Sequence, residues 1–446
     1  MKTDLIQHDK MLDKTVWDMA LETISEPDQE DPFFIVDLTD IERKYKLWKL
    51  KMPRITPFYA MKCNDCPGVL QYLASMGVNF DCASKTEIET VINLGVDPSR
   101  IIYANPCKTR SFIKYAAAVG VKMMTFDNEI ELYKIKSIFP NAELVIRIKV
   151  DDSNSNFKLS LKFGCEMQQV AQLLKTAKSL DLNVIGVSFH VGSGCQSSSA
   201  YPKAIMDAKE AFDIAKEIGY NFYLLDIGGG FPGMKTEQKY FEEIAAVTSA
   251  TLDAYFPEGC GVQIIAEPGR YFVASAFTLC ANIIAKRDMI VSGQNGDEPA
   301  CMYYLNDGVY GSFNCVLYEP TELIPYPLLL EEKERKMVKT SLWGPTCDSI
   351  DRIIENCYLP EMGVGEWLLF ENMGAYSLTS ATTFNGFQKP KVQYIMPLYA
   401  RVFLQHFPTL AAGKYLHARH SEIDEECDAL VSSDLHSLLV PQPIAV

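Results

Sequence analysis

The chain has 446 residues, 48% apolar and 22% charged, a length suited to about two or three domains and a composition that excludes a small stapled scaffold, wholesale disorder and a fibrous repeat. Fifty-seven acids against 42 bases give a formal charge of −15, the wrong sign for a surface that attracts nucleic-acid phosphates or anionic lipid, while a local basic pocket for a small anion remains allowed. Thirteen scattered cysteines, with "KCNDC" at 62–66 lacking a second zinc half-site, and no apolar signal or spanning segment point to free thiols, no membrane partner and a cytosolic location.

Residues 1–32 are read as an N-terminal extension, followed by the short β-rich run "FFIVDL" at 33–38. From 57 to 269, β-rich runs alternate with segments of helical apolar period, the pattern of parallel strands joined by crossover helices. Eight strands can be counted: "PFYAMK" from 57, "NFDCAS" from 79, "IIYANP" from 101, "MMTFD" from 123, "ELVIRIKV" from 143, "VIGVSFHV" from 184, "YLLDIGGG" from 223 and "QIIAEPG" from 263. Helices are predicted over 67–77, 85–95, 108–120, 129–140, 167–180, 200–219 and 237–256. Asp127 and Asn128 are cap candidates for the fourth, and Gly77, Gly95, Gly120 and Gly219 are C-caps. Eight such units predict an α/β fold with a (β/α)8 TIM-like barrel over residues 33–270, an open doubly wound sheet being the alternative that counting leaves.

Beyond 271 the pattern changes to β-branched and aromatic runs: "AFTLCANIIA", "CMYYLND", "SFNCVLYE", "TSLWGP", "EWLLFEN" and "VQYIMP". They predict a C-terminal all-β domain over 271–402, which the 33–38 strand could join, with 286–300 and 331–338 as polar loops. The tail 403–446, acidic in "SEIDEECDALVSSD", is expected to be partly disordered.

A barrel of this kind works at the carboxyl ends of its strands. Lys62, Asp81, Arg147, His190, the run Gly228, Gly229 and Gly230, and Glu267 stand at or just beyond six of those ends. One lysine or histidine at a strand end is most often a solvated rim residue; six converging ends define a site. The three glycines offer backbone N–H groups unobstructed by Cβ, a cradle for an anion, to which Arg270 in "EPGR" could add a charge-assisted contact. The apolar approach "FYAM" is expected to desolvate Lys62 and lower its pKa, as a Schiff-base lysine requires. Glu267 suits the protonated ring nitrogen of a pyridinium aldehyde. Lysine, carboxylate and phosphate cradle together describe pyridoxal 5'-phosphate.

The stretches "FYAMKCND", "FDCASKTE", "GVSFHVGSGC", "DIGGGFPG", "AEPGRY", "NDGVYGSFN", "WGPTCDSIDR" and "ENMGAY" closely resemble eukaryotic ornithine decarboxylases over roughly residues 30 to 400. The resemblance implies a fold-type III pyridoxal-phosphate decarboxylase, a barrel with a β domain, acting as a head-to-tail homodimer with shared active sites. It implies Lys62 as the Schiff-base lysine, His190 as the ring-stacking histidine and Glu267 as the partner of the pyridine nitrogen. Asp81 and Glu87 match acids near the Schiff base, Arg147 a cofactor-side arginine, and Ser193, Gly228, Gly229, Gly230, Arg270 and Tyr376 the phosphate-binding set. Cys347 matches the thiol that, supplied from the other subunit, returns a proton to Cα.

Two aspartates receive the distal ammonium of ornithine in that family. Asp348 matches one; Glu319 stands at the other, about one methylene longer, a difference typically worth roughly 1 to 3 kcal/mol in discrimination. With Glu319 pointing inward a basic amino acid remains the substrate; with it turned out, a neutral apolar one such as leucine becomes credible. A buried Asp348 without its ammonium would be costly, which favours the basic substrate unless that carboxylate pairs elsewhere. The non-enzymatic alternative is a paralogue resembling the antizyme inhibitors, binding antizyme through a surface that includes residues 108–131.

Overall fold

The computed structural model describes residues 14–293, 296–318, 322–329, 334–396 and 415–417. Among these the chain divides into two compact units: residues 43–272, and residues up to 42 together with those from 273 onward. The described residues open with helix α1 (Lys14–Ile24), strand β1 (Phe33–Asp37) and helix α2 (Leu38–Lys51).

The 43–272 unit repeats one local rule. Strands β2 (Ile55–Ala60), β3 (Asn79–Cys82), β4 (Ile101–Tyr103), β5 (Met123–Phe126) and β6 (Glu143–Arg147) alternate with helices α3 (Pro67–Ser75), α4 (Lys85–Asn93), α5 (Arg110–Val119) and α6 (Glu129–Ile138). After β7 (Ser155–Phe157) come α7 (Met167–Ser179), β8 (Asn183–Ser188), β9 (Ser193–Cys195), α8 (Ala200–Ile218), β10 (Leu224–Asp226), α9 (Gln238–Tyr255) and β11 (Gln263–Ala266). The eight predicted strands are all present, and they form a closed barrel because β11 pairs in parallel with β2, Ile264 opposite Ile55. That pairing excludes the open sheet. Inside the ring Phe58, Ile102, Val145, Ile185, Leu224 and Ile265 form one apolar cluster, each such buried side chain worth about 1.5–3 kcal/mol.

Local chemistry sets the helix ends. The Ser84 hydroxyl and the Asn128 amide oxygen accept from the backbone N–H of Glu87 and Glu131 at 3.3 and 3.0 Å, capping α4 and α6. Asn128 rather than Asp127 is therefore the cap of the fourth helix.

The second unit is a nine-stranded mixed sheet with β12 (Phe277–Gly293), β13 (Gly296–Leu305), β14 (Pro325–Leu328), β15 (Met337–Trp343), β16 (Arg352–Pro360), β17 (Trp367–Phe370) and β18 (Lys391–Met396). β1 lies between β12, antiparallel, and β18, parallel, so the 33–38 run belongs to this sheet and not to the barrel. Helix α1 covers one face, placing Val16, Met19 and Ala20 against Phe33, Ile35, Trp367, Leu369 and Ile395.

Two expectations are corrected here. Residues 286–300 are mostly a long hairpin rather than a loop: β12 and β13 stay in register from Lys286 opposite Tyr303 out to Gly293 opposite Gly296. Its polar composition reflects exposure, since most side chains from Ile284 to Ile290 face solvent. The run "SFNCVLYE" is helical at Ser312–Tyr318, because the buried Asp307 carboxylate accepts from the Gly308 and Ser312 amides and turns the chain there. Glu319 and, 415–417 apart, the 403–446 tail lie outside the described residues.

Candidate active site at the carboxyl ends of the barrel strands

Parallel strands bring everything that follows their carboxyl ends to one side of the ring. Lys62 lies in a short helical turn after β2, Asp81 in β3, Arg147 at the end of β6, His190 just after β8, the glycine run after β10 and Glu267 directly after β11. The Lys62 ammonium is paired with the Asp81 carboxylate; the Asp81 side chain is fully buried, while that of Lys62 is 39% exposed. The expected apolar desolvation of Lys62 is thus replaced by an ion pair with solvent access. Glu87 stands behind it, accepting from the Ala83 N–H, and burial raises its carboxyl pKa against that hydrogen bond.

His190 Nδ1 accepts from the Gly192 N–H at 2.9 Å, so in the neutral ring the proton sits on Nε2. Burial first, then the charges of Arg147 and Lys62, hold its pKa well below the usual histidine range. A neutral flat ring results. Arg147 itself lies over the Phe163 ring, 5.3 Å from its centroid.

The glycine run is required by space. A Cβ on Gly228 would meet the Phe189 carbonyl at 2.2 Å, and one on Gly229 would meet the Glu267 carbonyl at 2.7 Å and His190 Nε2 at 2.9 Å. Backbone therefore passes directly between the histidine and the glutamate. Strand β9, paired with β7, brings Ser193 to the same rim, where the Arg270 guanidinium donates to its hydroxyl at 3.5 Å.

Glu267 is buried, and one of its carboxyl oxygens, like one of Asp81, has no hydrogen-bond partner. Burial, then Asp226, then Asp81 push its pKa well above the usual carboxylate range. Asp226 was not singled out from the sequence, nor was Tyr201, whose hydroxyl donates to the Gly229 carbonyl at 3.0 Å. Asp226 carried one legible signal: it is the acid that ends the strand feeding the glycine run.

The orphan acid oxygens, the amine and the Cβ-free cradle fit the ring nitrogen, aldehyde and phosphate of pyridoxal phosphate. By contrast, the cleft of about 590 Å³ at the amino ends of the strands, lined by Asn79, Asp97, Glu143 and Gln263, holds none of these groups.

Three expected residues lie in the other unit. Cys347 is exposed, with its N–H donating to the Asn385 side chain at 3.1 Å. Asp348 accepts from the Tyr310 hydroxyl and from the Ile350 N–H, and it is only partly buried. The pairing elsewhere that would relieve Asp348 of its need for the ammonium is thus present. Tyr376 has φ 56°, a left-handed conformation unusual for an aromatic residue and a mark of functional constraint.

The fold and the site together define a barrel enzyme that carries a phosphorylated aldehyde cofactor. The chain matches the family described as pyridoxal-dependent decarboxylase, pyridoxal binding domain, over residues 38–274. It is 52% identical over 389 residues to the ornithine decarboxylase of Rattus norvegicus, covering 86% of this chain and 84% of that protein. It is also 52% identical over 392 residues to antizyme inhibitor 2 of Xenopus laevis, covering 86% of each. The solved arginine decarboxylase of Paramecium bursaria Chlorella virus, bound to agmatine, superposes with a TM-score of 0.80 at 37% identity, covering 85% of this chain and 100% of that one. The chain belongs to the ornithine decarboxylase family of pyridoxal-dependent decarboxylases.

Proposed function

We propose that the protein removes carbon dioxide from an L-amino acid, ornithine first, to give its amine, putrescine, a step of polyamine formation. The observation that carries this is the complete set of Lys62, Asp81, His190 and Glu267 at one end of the barrel. When bound, pyridoxal phosphate supplies an aldehyde carbon for the amine and a ring that accepts the electrons of the breaking Cα–carboxylate bond. Lys62 Nζ anchors the aldehyde carbon between turnovers, with Asp81 holding the ammonium in place. His190 would lie against one face of the ring, Glu267 would face its nitrogen, and Arg147 would balance the acids. Gly228, Gly229, Gly230, Ser193 and Arg270 would hold the phosphate, the role for which the family resemblance also names Tyr376.

The working form in this reading is a homodimer in the cytosol, in which Cys347 of a second copy returns the proton to Cα and Asp348 with Glu319 meets the substrate's distal end. The exposure of Cys347 supports its availability to a second chain, and the described cysteines are all free thiols. Among the described residues no helix is long and apolar enough to cross a membrane.

A second substrate reading has its own support. Because Asp348 is already engaged by Tyr310, it tolerates a substrate with no distal ammonium, so leucine stands beside ornithine. The non-enzymatic reading, antizyme binding through 108–131, draws on the Xenopus laevis relative and on the exposed side chains of Arg110, Lys114 and Ile130; retention of the lysine, histidine and acids argues for catalysis.

Carbon dioxide release from ornithine, lysine, arginine and leucine, each with added pyridoxal phosphate, tests these readings. Release from ornithine is expected; release from leucine alone would reverse the substrate order, and silence with all four would favour the binding protein. Glu319→Asp should raise ornithine kcat/KM by about tenfold, one methylene being worth roughly 1 to 3 kcal/mol. An unchanged preference would show that other residues select the substrate.

A further inference from the structure

The first two peptides of the glycine run are each tied through the carbonyl. The Gly228 carbonyl accepts from the Glu267 N–H at 2.7 Å, and the Gly229 carbonyl accepts from the Tyr201 hydroxyl at 3.0 Å. Tyr201 is fully buried at the start of α8 and stacks on Phe231, with ring centroids 5.0 Å apart. Both peptides are trans, so each N–H points opposite to its carbonyl. The first tie therefore turns the Gly229 N–H away from the Glu267 backbone, and the second turns the Gly230 N–H away from Tyr201. Neither N–H has a protein acceptor among the described residues. They are the donors that the cradle offers an anion.

Glycine on both sides frees the Gly229–Gly230 peptide from the steric limits that a Cβ imposes, so its direction depends on what it bonds. Farther along, the turn is held by other groups: the buried Lys44 ammonium donates to the Gly233 carbonyl at 2.6 Å, and the Gly233 N–H donates to the Glu237 carboxylate at 3.1 Å. We propose that Tyr201 is a positioning residue whose hydroxyl fixes the Gly229–Gly230 peptide with its N–H, and not its carbonyl, turned toward the cofactor's phosphate. Without the hydroxyl the buried Gly229 carbonyl loses its donor. A rotated peptide would then present the negative end of its dipole to an anion.

The inference rests on the reading of the glycine run as the phosphate cradle. Tyr201→Phe removes the hydroxyl and keeps the ring against Phe231. Cofactor-free full-length wild type and variant are titrated with pyridoxal 5'-phosphate and, separately, with pyridoxal, which has the ring and aldehyde but no phosphate. The variant should bind the phosphorylated ligand about fivefold more weakly, the scale of one neutral hydrogen bond, and bind pyridoxal as tightly as wild type does. Imine formation at Lys62 is common to both ligands and cancels in their ratio. A ratio equal to that of wild type, whether both ligands weaken together or neither does, would overturn the proposal. The phosphorus magnetic resonance of the saturated proteins gives a second readout: the bound phosphate signal should shift in the variant, and an identical signal would equally overturn it. A wild type that binds pyridoxal as tightly as its phosphate would remove the cradle reading itself. That outcome is distinct from a wild type and a variant that favour the phosphate equally.

Discussion

Gly229 shows how closely the site is built. The atoms that a Cβ would meet belong to Glu267 and His190, and the first is backbone. Gly229→Ala must therefore spread the two groups that meet the cofactor, whereas the packed interior of the barrel lies away from the change. Cofactor affinity, followed by tryptophan fluorescence on titration with pyridoxal phosphate, should fall by at least about tenfold while the circular dichroism stays native. Affinity within twofold of wild type would mean that the run is a plain turn. Lys62, His190 and Glu267 were legible in the sequence because strand ends can be located from alternating patterns, and unusual side chains at such ends stand out. Asp226 was not, because an acid before a glycine run reads as ordinary turn chemistry; only the closure of the barrel reveals that it is buried against Glu267.

At the scale of elements, what was legible depended on how each one buries itself. The barrel strands and helices follow period and capping closely, each predicted helix lying within about two residues of the observed one, as expected when local propensity and burial agree. The β12–β13 hairpin escaped because its exposed stretch gains no apolar face to advertise it, although its ladder is continuous. Helix α1 escaped for the opposite reason: 11 residues are too few to be stable alone, and its Val16, Met19 and Ala20 stripe has meaning only against β1, β17 and β18. Packing therefore holds this helix, and Met19→Ala should destabilise the sheet unit by about 2 to 5 kcal/mol, read as a lower urea midpoint. A change below about 0.5 kcal/mol would show that α1 is an appendage of the sheet.

At the scale of the whole molecule, buried acids give the cofactor-free protein a pH dependence whose sign can be worked out. Burial raises the pKa of Glu267, Asp226, Glu87 and Asp307 in the folded chain, Asp307 to about 6, while the unfolded values are about 3.9 to 4.3. Above about pH 4 the folded state therefore holds more protons than the unfolded state, so stability falls as pH rises. His190 acts the other way: its folded pKa is depressed, so below about pH 6.5 only the unfolded chain gains its proton, and stability rises toward that pH. The exposed acids whose pKa values are lowered, such as Asp97 and Asp151, contribute only below about pH 4 and are saturated above it. Four raised acids outweigh one histidine, and the growing negative charge of a chain already at −15 acts in the same direction. The melting temperature of the cofactor-free protein should fall steadily from pH 6 to pH 8. Asp226→Asn should flatten that slope, since it removes one of the protons at stake, and saturating pyridoxal phosphate should flatten it further by placing a positive charge opposite the acids. A melting temperature that climbs from pH 6 to pH 8 would mean that the acids are not protonated in the folded barrel.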